Sequence, residues 1–87
     1  MNAWIYPETI EAVGRACALY LEGKLNGVDL QAALYKAEQE IVAYEEKWLR
    51  SLLFDSENKI EEIIYTESPD RYFELISPIV INLVENL

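Results

Sequence analysis

Carboxylates are the side chains in this sequence whose spacing could carry chemistry. Asp55, Glu57, Glu61, Glu62, Glu67, Asp70 and Glu74 fall within one short stretch, interleaved with Tyr65 and Tyr72. On a helix Glu57 and Glu61 share a face one turn apart, and Asp70 and Glu74 repeat the interval. Paired carboxylates can trade protons in general acid and base catalysis, hold Mg²⁺, or receive the cations of a partner. The companions of the first two uses are missing. The chain has no His, and its lone Cys17 lies in an apolar helical row, so the usual nucleophile, general base and transition-metal ligand sets are absent. Glycines at 14, 23 and 27 form no phosphate-cradling loop. The residues therefore point to a non-catalytic chain without cofactor or metal. Like charges one turn apart cost a few tenths of a kcal/mol each, a cost that a basic partner relieves.

The charge balance agrees with that reading. The net charge is −9, and residues 1–43 contribute −3 against −6 from residues 44–87. Nucleic acid and anionic membrane are both repelled by such a surface, and the few Lys and Arg residues are scattered among acids. Two readings of the acids stand: an ordinary hydrated helix face, or a surface shaped for a basic protein, with Tyr65 as an anchor. One cysteine permits no internal disulfide and fits a reducing compartment. The opening residues MNAWIYPETIEAVGR lack a basic start and an apolar run, and the apolar tail Leu75–Val84 is about half the ~20 residues of a membrane span. A cytoplasmic location is expected.

The elements that must position these acids are helices. No strand-like alternation, repeat or low-complexity segment occurs, and the 87 residues form one expected domain, 1–87, with a single core. The expected fold is all-α, an antiparallel bundle of four helices. Pro7 opens the first, over about residues 7–22, with Ile10, Val13, Cys17, Tyr20 and Leu21 inward. Gly14, with Ala12, Ala16 and Ala18, would let a neighbour approach closely, and Gly23 stops the helix. Asn26 and Asp29 outline a capping box for a long central helix, Val28–Phe54, which contains neither Gly nor Pro. Leu30, Leu34, Ala37, Ile41, Tyr44, Trp48 and Leu52 form its core row. A second row, Tyr35, Val42, Leu49 and Leu53, is turned by roughly 100°. Glu38 and Glu45 fall between the rows, either as a core rim paired with a neighbour's Lys or Arg, or as part of a partner surface. Asp55 and Ser56 offer an N-cap to a third helix over about residues 56–66, with Ile60, Ile63 and Ile64 inward. Ser68, Pro69 and Asp70 start the fourth, which Ser77 and Pro78 should kink or split. The apolar segment Met1–Tyr6 should lie against the bundle.

The string ALYLEGKLNGVDLQAALYKAE, with the later IEEIIYTESPDRYF, resembles the small helical immunity proteins that neutralise colicin D-type nuclease toxins and related contact-dependent inhibition toxins. Leu21, Gly23 and Lys24 match the turn that ends the family's first helix. Asn26 and Asp29 match its cap, where Ser and Glu are more usual and where Leu30 replaces an aromatic residue. Ile60 to Tyr65 matches its acidic helix, and Asp70 with Tyr72 and Phe73 its last segment. The resemblance implies a non-catalytic cytosolic inhibitor that covers the basic cleft of a nuclease, its carboxylates standing where RNA phosphates would sit. The rival class is a small acidic adaptor or assembly subunit that meets its partner through an apolar helix face.

Overall fold

In a computed structural model that describes residues 4–87, the chain is all-α. Its helices are α1 (Pro7–Leu21), α2 (Gly27–Glu40), α3 (Lys47–Thr66) and α4 (Tyr72–Glu85), with short 3₁₀ turns at Tyr44–Glu46 and Pro69–Arg71. Met1, Asn2 and Ala3 lie outside the described residues.

The α1–α2 turn follows the sequence closely. Gly23 takes a positive φ of 76°, a conformation costly for any residue with a Cβ. The Gly23 amide donates to the Tyr20 carbonyl at 3.0 Å and the Lys24 amide to that of Leu19 at 2.8 Å, the paired bonds of a Schellman motif. Asn26 then caps α2, its Oδ1 accepting from the Asp29 amide at 2.7 Å. The close approach expected at Gly14 is not found, and Gly27 meets isoleucine side chains at ordinary contact distance. A Cβ at Gly27 would lie 3.4 Å from Cδ1 of Ile76 and 3.5 Å from Cδ1 of Ile64, whereas one at Gly14 would meet nothing within 4 Å.

The long central helix is not continuous. α2 ends at Glu40, residues 41–43 are non-helical, and a 3₁₀ turn leads into α3. Nor does a helix begin at Ser56: Asp55 and Ser56 lie inside α3, Ser56 buried and Asp55 exposed. The reason is phase. Ile41, Leu49 and Leu53 are all fully buried. Eight residues of uninterrupted helix, at about 100° each, would set Ile41 and Leu49 some 80° apart. The break at 41–43 re-phases the chain, so the first row, Leu30, Leu34, Ala37 and Ile41, serves as core before it and the second row, Leu49 and Leu53, after it. Tyr44 and Trp48, expected inside, are exposed. β-Branched Ile41 and Val42 suit the non-helical backbone. The Arg50 Nε donates to the Glu38 carbonyl at 3.2 Å, satisfying an end group of α2 with a cation at the negative pole of the helix.

Glu46 ties down the other side of this elbow. Its Oε2 accepts from the Ile5 amide at 2.9 Å, while its Oε1 is buried without a hydrogen-bond partner. The Trp4 and Trp48 rings sit beside this bond with centroids 5.9 Å apart, and Trp4 and Tyr6 pack on the core. The described part of the N-terminal segment thus lies against the bundle.

α4 runs unbroken from Tyr72 to Glu85 through Pro78 and is not split there. Pro78 is exposed, so the Glu74 carbonyl deprived of a helical donor can be satisfied by water. The preceding Ser77 hydroxyl donates to the Phe73 carbonyl one turn back. Ser68 makes no side-chain cap, and a 3₁₀ turn rather than a helix follows Pro69. Tyr72 reaches back to close α3, its hydroxyl donating to the Ile64 carbonyl at 2.8 Å. Ile76, Val80 and Leu83 complete the core begun by Val13, Cys17 and Tyr20 of α1. Burial pushes the Cys17 thiol up to about 11, consistent with its packing as a small apolar group.

Candidate partner-binding surface

The acids of residues 55–74 divide into three environments. Glu57 and Glu61 are half-buried on the flank of α3 that meets α2, and one side-chain amide bridges them. Gln31 Nε2 donates to Glu57 Oε1 and to Glu61 Oε2, each at 3.3 Å. Glu67 and Glu74 gather around Arg71, at 3.0 Å and 3.9 Å. Those pairs are solvated and contribute little to stability. Asp55, Glu62 and Asp70 are exposed, and among the described residues none of the three has an ion-pair partner within 4.0 Å. Tyr65 stands out from α3 with 81 % of its surface exposed. Asp70 belongs to the 3₁₀ turn and Glu74 to α4, so these two do not share a continuous helix face as their spacing predicts.

The buried stripe of α3, Leu49, Leu53, Ser56 and Ile60, fixes the direction in which the acids point. At about 100° per residue, Glu57 and Glu61 flank this stripe, with Arg50 and Phe54 in the same strip, while Asp55, Glu62 and Tyr65 turn further outward. The strip borders α2. Gln31, early in α2, reaches the second half of α3, and Glu38, late in α2, meets Arg50 near the start of α3. Between the helices runs a groove of about 550 Å³ whose walls include Val28, Gln31, Tyr35 and Glu57. A neighbouring cavity of about 450 Å³ is lined by Glu38, Lys47, Arg50, Phe54 and Asp55, among others.

Glu38 and Glu45, alike in the helical pattern, separate here. Glu45 is exposed in the 3₁₀ turn, while Glu38 is 8 % exposed. The Glu38 carboxylate has no ion pair within 4.0 Å among the described residues, because Arg50 bonds its main-chain carbonyl instead. Burial raises its pKa above the ordinary 4.5, the charge of Glu57 adds to the rise, and Arg50 opposes it. The folded chain therefore holds this proton more tightly than the unfolded chain. Stability contributed by the protonated form is present at low pH and is lost as pH rises from the unfolded value through the raised one. Thermal melts should show the wild type losing ground to Glu38→Gln as pH rises from the ordinary carboxylate value of 4.5 through the raised one. A wild type that gains on the variant over this range would show that Glu38 is stabilised as a carboxylate.

Gln31, Arg50 and Glu46 carry much of this geometry and were not singled out by the sequence pattern. Gln31 could have been found from its place one helical repeat before Glu38, on the same face of α2. Glu46 left no signal, since its role depends on a helix break that no Gly or Pro marks.

Among the described residues, no three His, Cys, Asp or Glu side chains converge as a metal cage, and no helix is long and apolar enough to cross a membrane. Comparison with known proteins gives no matching family model, no matching curated protein and no matching solved structure.

Proposed function

We propose that this chain is an immunity-type inhibitor, which binds a basic nuclease toxin domain in the cytoplasm and covers the toxin's active-site cleft with an acidic surface. The observation that carries the reading is an acidic arc of α3, from half-buried Glu57 and Glu61 on the α2 flank to exposed Asp55 and Glu62, with Tyr65 protruding nearer the end of the helix; none of the four acids has an ion-pair partner within 4.0 Å among the described residues. Such an arc speeds encounter with a cationic cleft and offers it charge-assisted hydrogen bonds, while an exposed tyrosine supplies a rigid anchor. Glu67, Asp70 and Glu74 extend the acidic surface beyond the end of α3. The resemblance to the colicin D-type immunity family supplies the class of partner. Inhibition is by occlusion, without catalysis or cofactor.

A second reading has its own observation. The elbow exposes Val42, Tyr44 and Trp48, which an adaptor could use as an apolar contact. The deciding experiment is co-expression with any nuclease domain encoded in the adjacent reading frame. Restored growth and a co-purifying complex are expected. Unrelieved toxicity, or no toxin domain in the adjacent frames, would overturn the immunity reading.

A further inference from the structure

One flank of α3 carries charges in a definite order. Lys47, Arg50, Phe54, Glu57 and Glu61 follow one another at steps of three, four, three and four residues, the spacing that draws one straight strip along a helix. Two cations come first, an aromatic ring stands in the middle, and two carboxylates end the strip. Lys47 and Glu61 each lie seven residues from Phe54, about 10 Å along the axis at about 1.5 Å per residue. Arg50 lies four residues before Phe54 and Glu57 three after it. Lys47, Arg50 and Phe54 are exposed, and Glu57 and Glu61 are half-buried. None of the four charges has an ion-pair partner within 4.0 Å among the described residues, although the chain holds 16 acids and 7 bases. What they touch is neutral: Lys47 lies 6.0 Å from the Tyr44 ring, Arg50 bonds a main-chain carbonyl, and the two acids share the Gln31 amide.

We propose that this strip is a self-complementary contact for a second copy of the chain, with two α3 helices lying antiparallel across a two-fold axis at Phe54. The axis reverses the strip, so each position meets the one about equally far on the other side of Phe54. Lys47 then faces Glu61 of the second copy and Arg50 faces its Glu57. Symmetry repeats both pairings, and the two Phe54 rings meet on the axis. Charge order selects this occupant. A polyanion would meet the two carboxylates, a polycation the two cations, and a parallel copy would set like against like, whereas a reversed copy opposes unlike charges along the whole strip. The net charge of −9 repels a second copy, but at physiological ionic strength that repulsion is screened beyond about 8 Å, and the strip's own contacts are closer. A single helix pair is a small interface, so the dimer is weak and forms in concentrated solution. The contact does not rest on the immunity reading. Where that reading holds, Glu57 and Glu61 serve both surfaces, so a seated copy and a seated toxin exclude one another.

Sedimentation velocity of the full chain, from about 10 μM to about 1 mM at about 0.15 M ionic strength, tests the contact. Monomer is expected at the low end and dimer at the high end. Glu61→Lys brings the net charge from −9 to −7, which by itself favours association, yet it should weaken the dimer about tenfold by setting cation against cation twice. Lys47→Glu should weaken it similarly. The double exchange, Lys47→Glu with Glu61→Lys, re-forms the pairs in the opposite sense and should restore association to within about threefold, which also shows that the single variants fold. Glu85→Lys, the same charge change on the exposed side of α4, should not weaken it. Monomer throughout, a dimer that survives both single reversals, or a double exchange no better than the singles would overturn the proposal. No toxin is present in this measurement, so its failure leaves the immunity reading standing, and failed protection in co-expression leaves the dimer.

Discussion

Leu53→Ala should destabilise the chain by about 2 to 5 kcal/mol, measured by urea denaturation at 25 °C. Leu53 is fully buried at the middle of α3, and its truncation leaves a void among Leu49, Ile60 and the facing helices that the packed core cannot close. An 87-residue chain is worth about 4 to 13 kcal/mol in total, so the loss is a large share of its stability. Leu52→Ala supplies the contrast. An uninterrupted helix through residue 54 would place Leu52 in line with Ile41, whereas the elbow leaves it only partly buried. Its truncation should cost less, about 1 kcal/mol on the scale of partial burial. A Leu52→Ala penalty exceeding that of Leu53→Ala would mean that the helix does not break at 41–43.

On the proposed function, joint charge reversal, Glu61→Lys with Glu62→Lys, should abolish binding to the nuclease domain. Close charge pairs across such interfaces are worth about 1.5 to 7 kcal/mol each, so replacing attraction by repulsion at two positions should weaken the complex by a factor on the order of a thousand or more. The association rate should fall as well, and the salt dependence of binding should flatten. Glu62 is exposed and Glu61 gives up only a bond from Gln31, so the fold should survive, which circular dichroism can verify. Unchanged affinity, combined with a large loss on Tyr44→Ala or Trp48→Ala, would transfer the interface to the elbow and favour the adaptor.

Helical class was legible in the sequence because period, caps and turn chemistry agreed over α1 and the start of α2, while the number of four helices agrees with the break expected at Asp55–Ser56 falling instead at 41–43. Gly23 and Asn26 act there through backbone geometry that their own side chains specify, or that their lack of one permits. The elbow was not legible for the opposite reason. Ile41, Val42 and Ala43 are acceptable in a helix, and only the competing demand of Ile41, Leu49 and Leu53 for the same core breaks it. A trace of this existed: the row Leu49, Leu53, Ile60 continues across Asp55 and Ser56, but a polar Ser56 in the stripe reads locally as a cap. Pro78 misleads in the reverse direction, since a solvent-facing proline costs one bond that water replaces. In the candidate surface, the order of the acids along α3 was readable and their partners were not. Gln31 and Arg50 come from other parts of the pattern, whereas Arg71, four residues after Glu67 and three before Glu74, stands at helical pair spacings from which its contacts could have been read.

The elbow also shapes how the chain folds in time. By dividing residues 27–66 into two helices that turn back on one another, it gives α2 and α3 an extensive contact between sequence neighbours. α1 with α2 and α3 with α4 also meet as neighbours, and α1 packs on α4 as well. A native state built chiefly from nearby pairings closes mostly short loops before packing rewards them, so folding belongs to the fast regime of helical bundles, in microseconds to milliseconds.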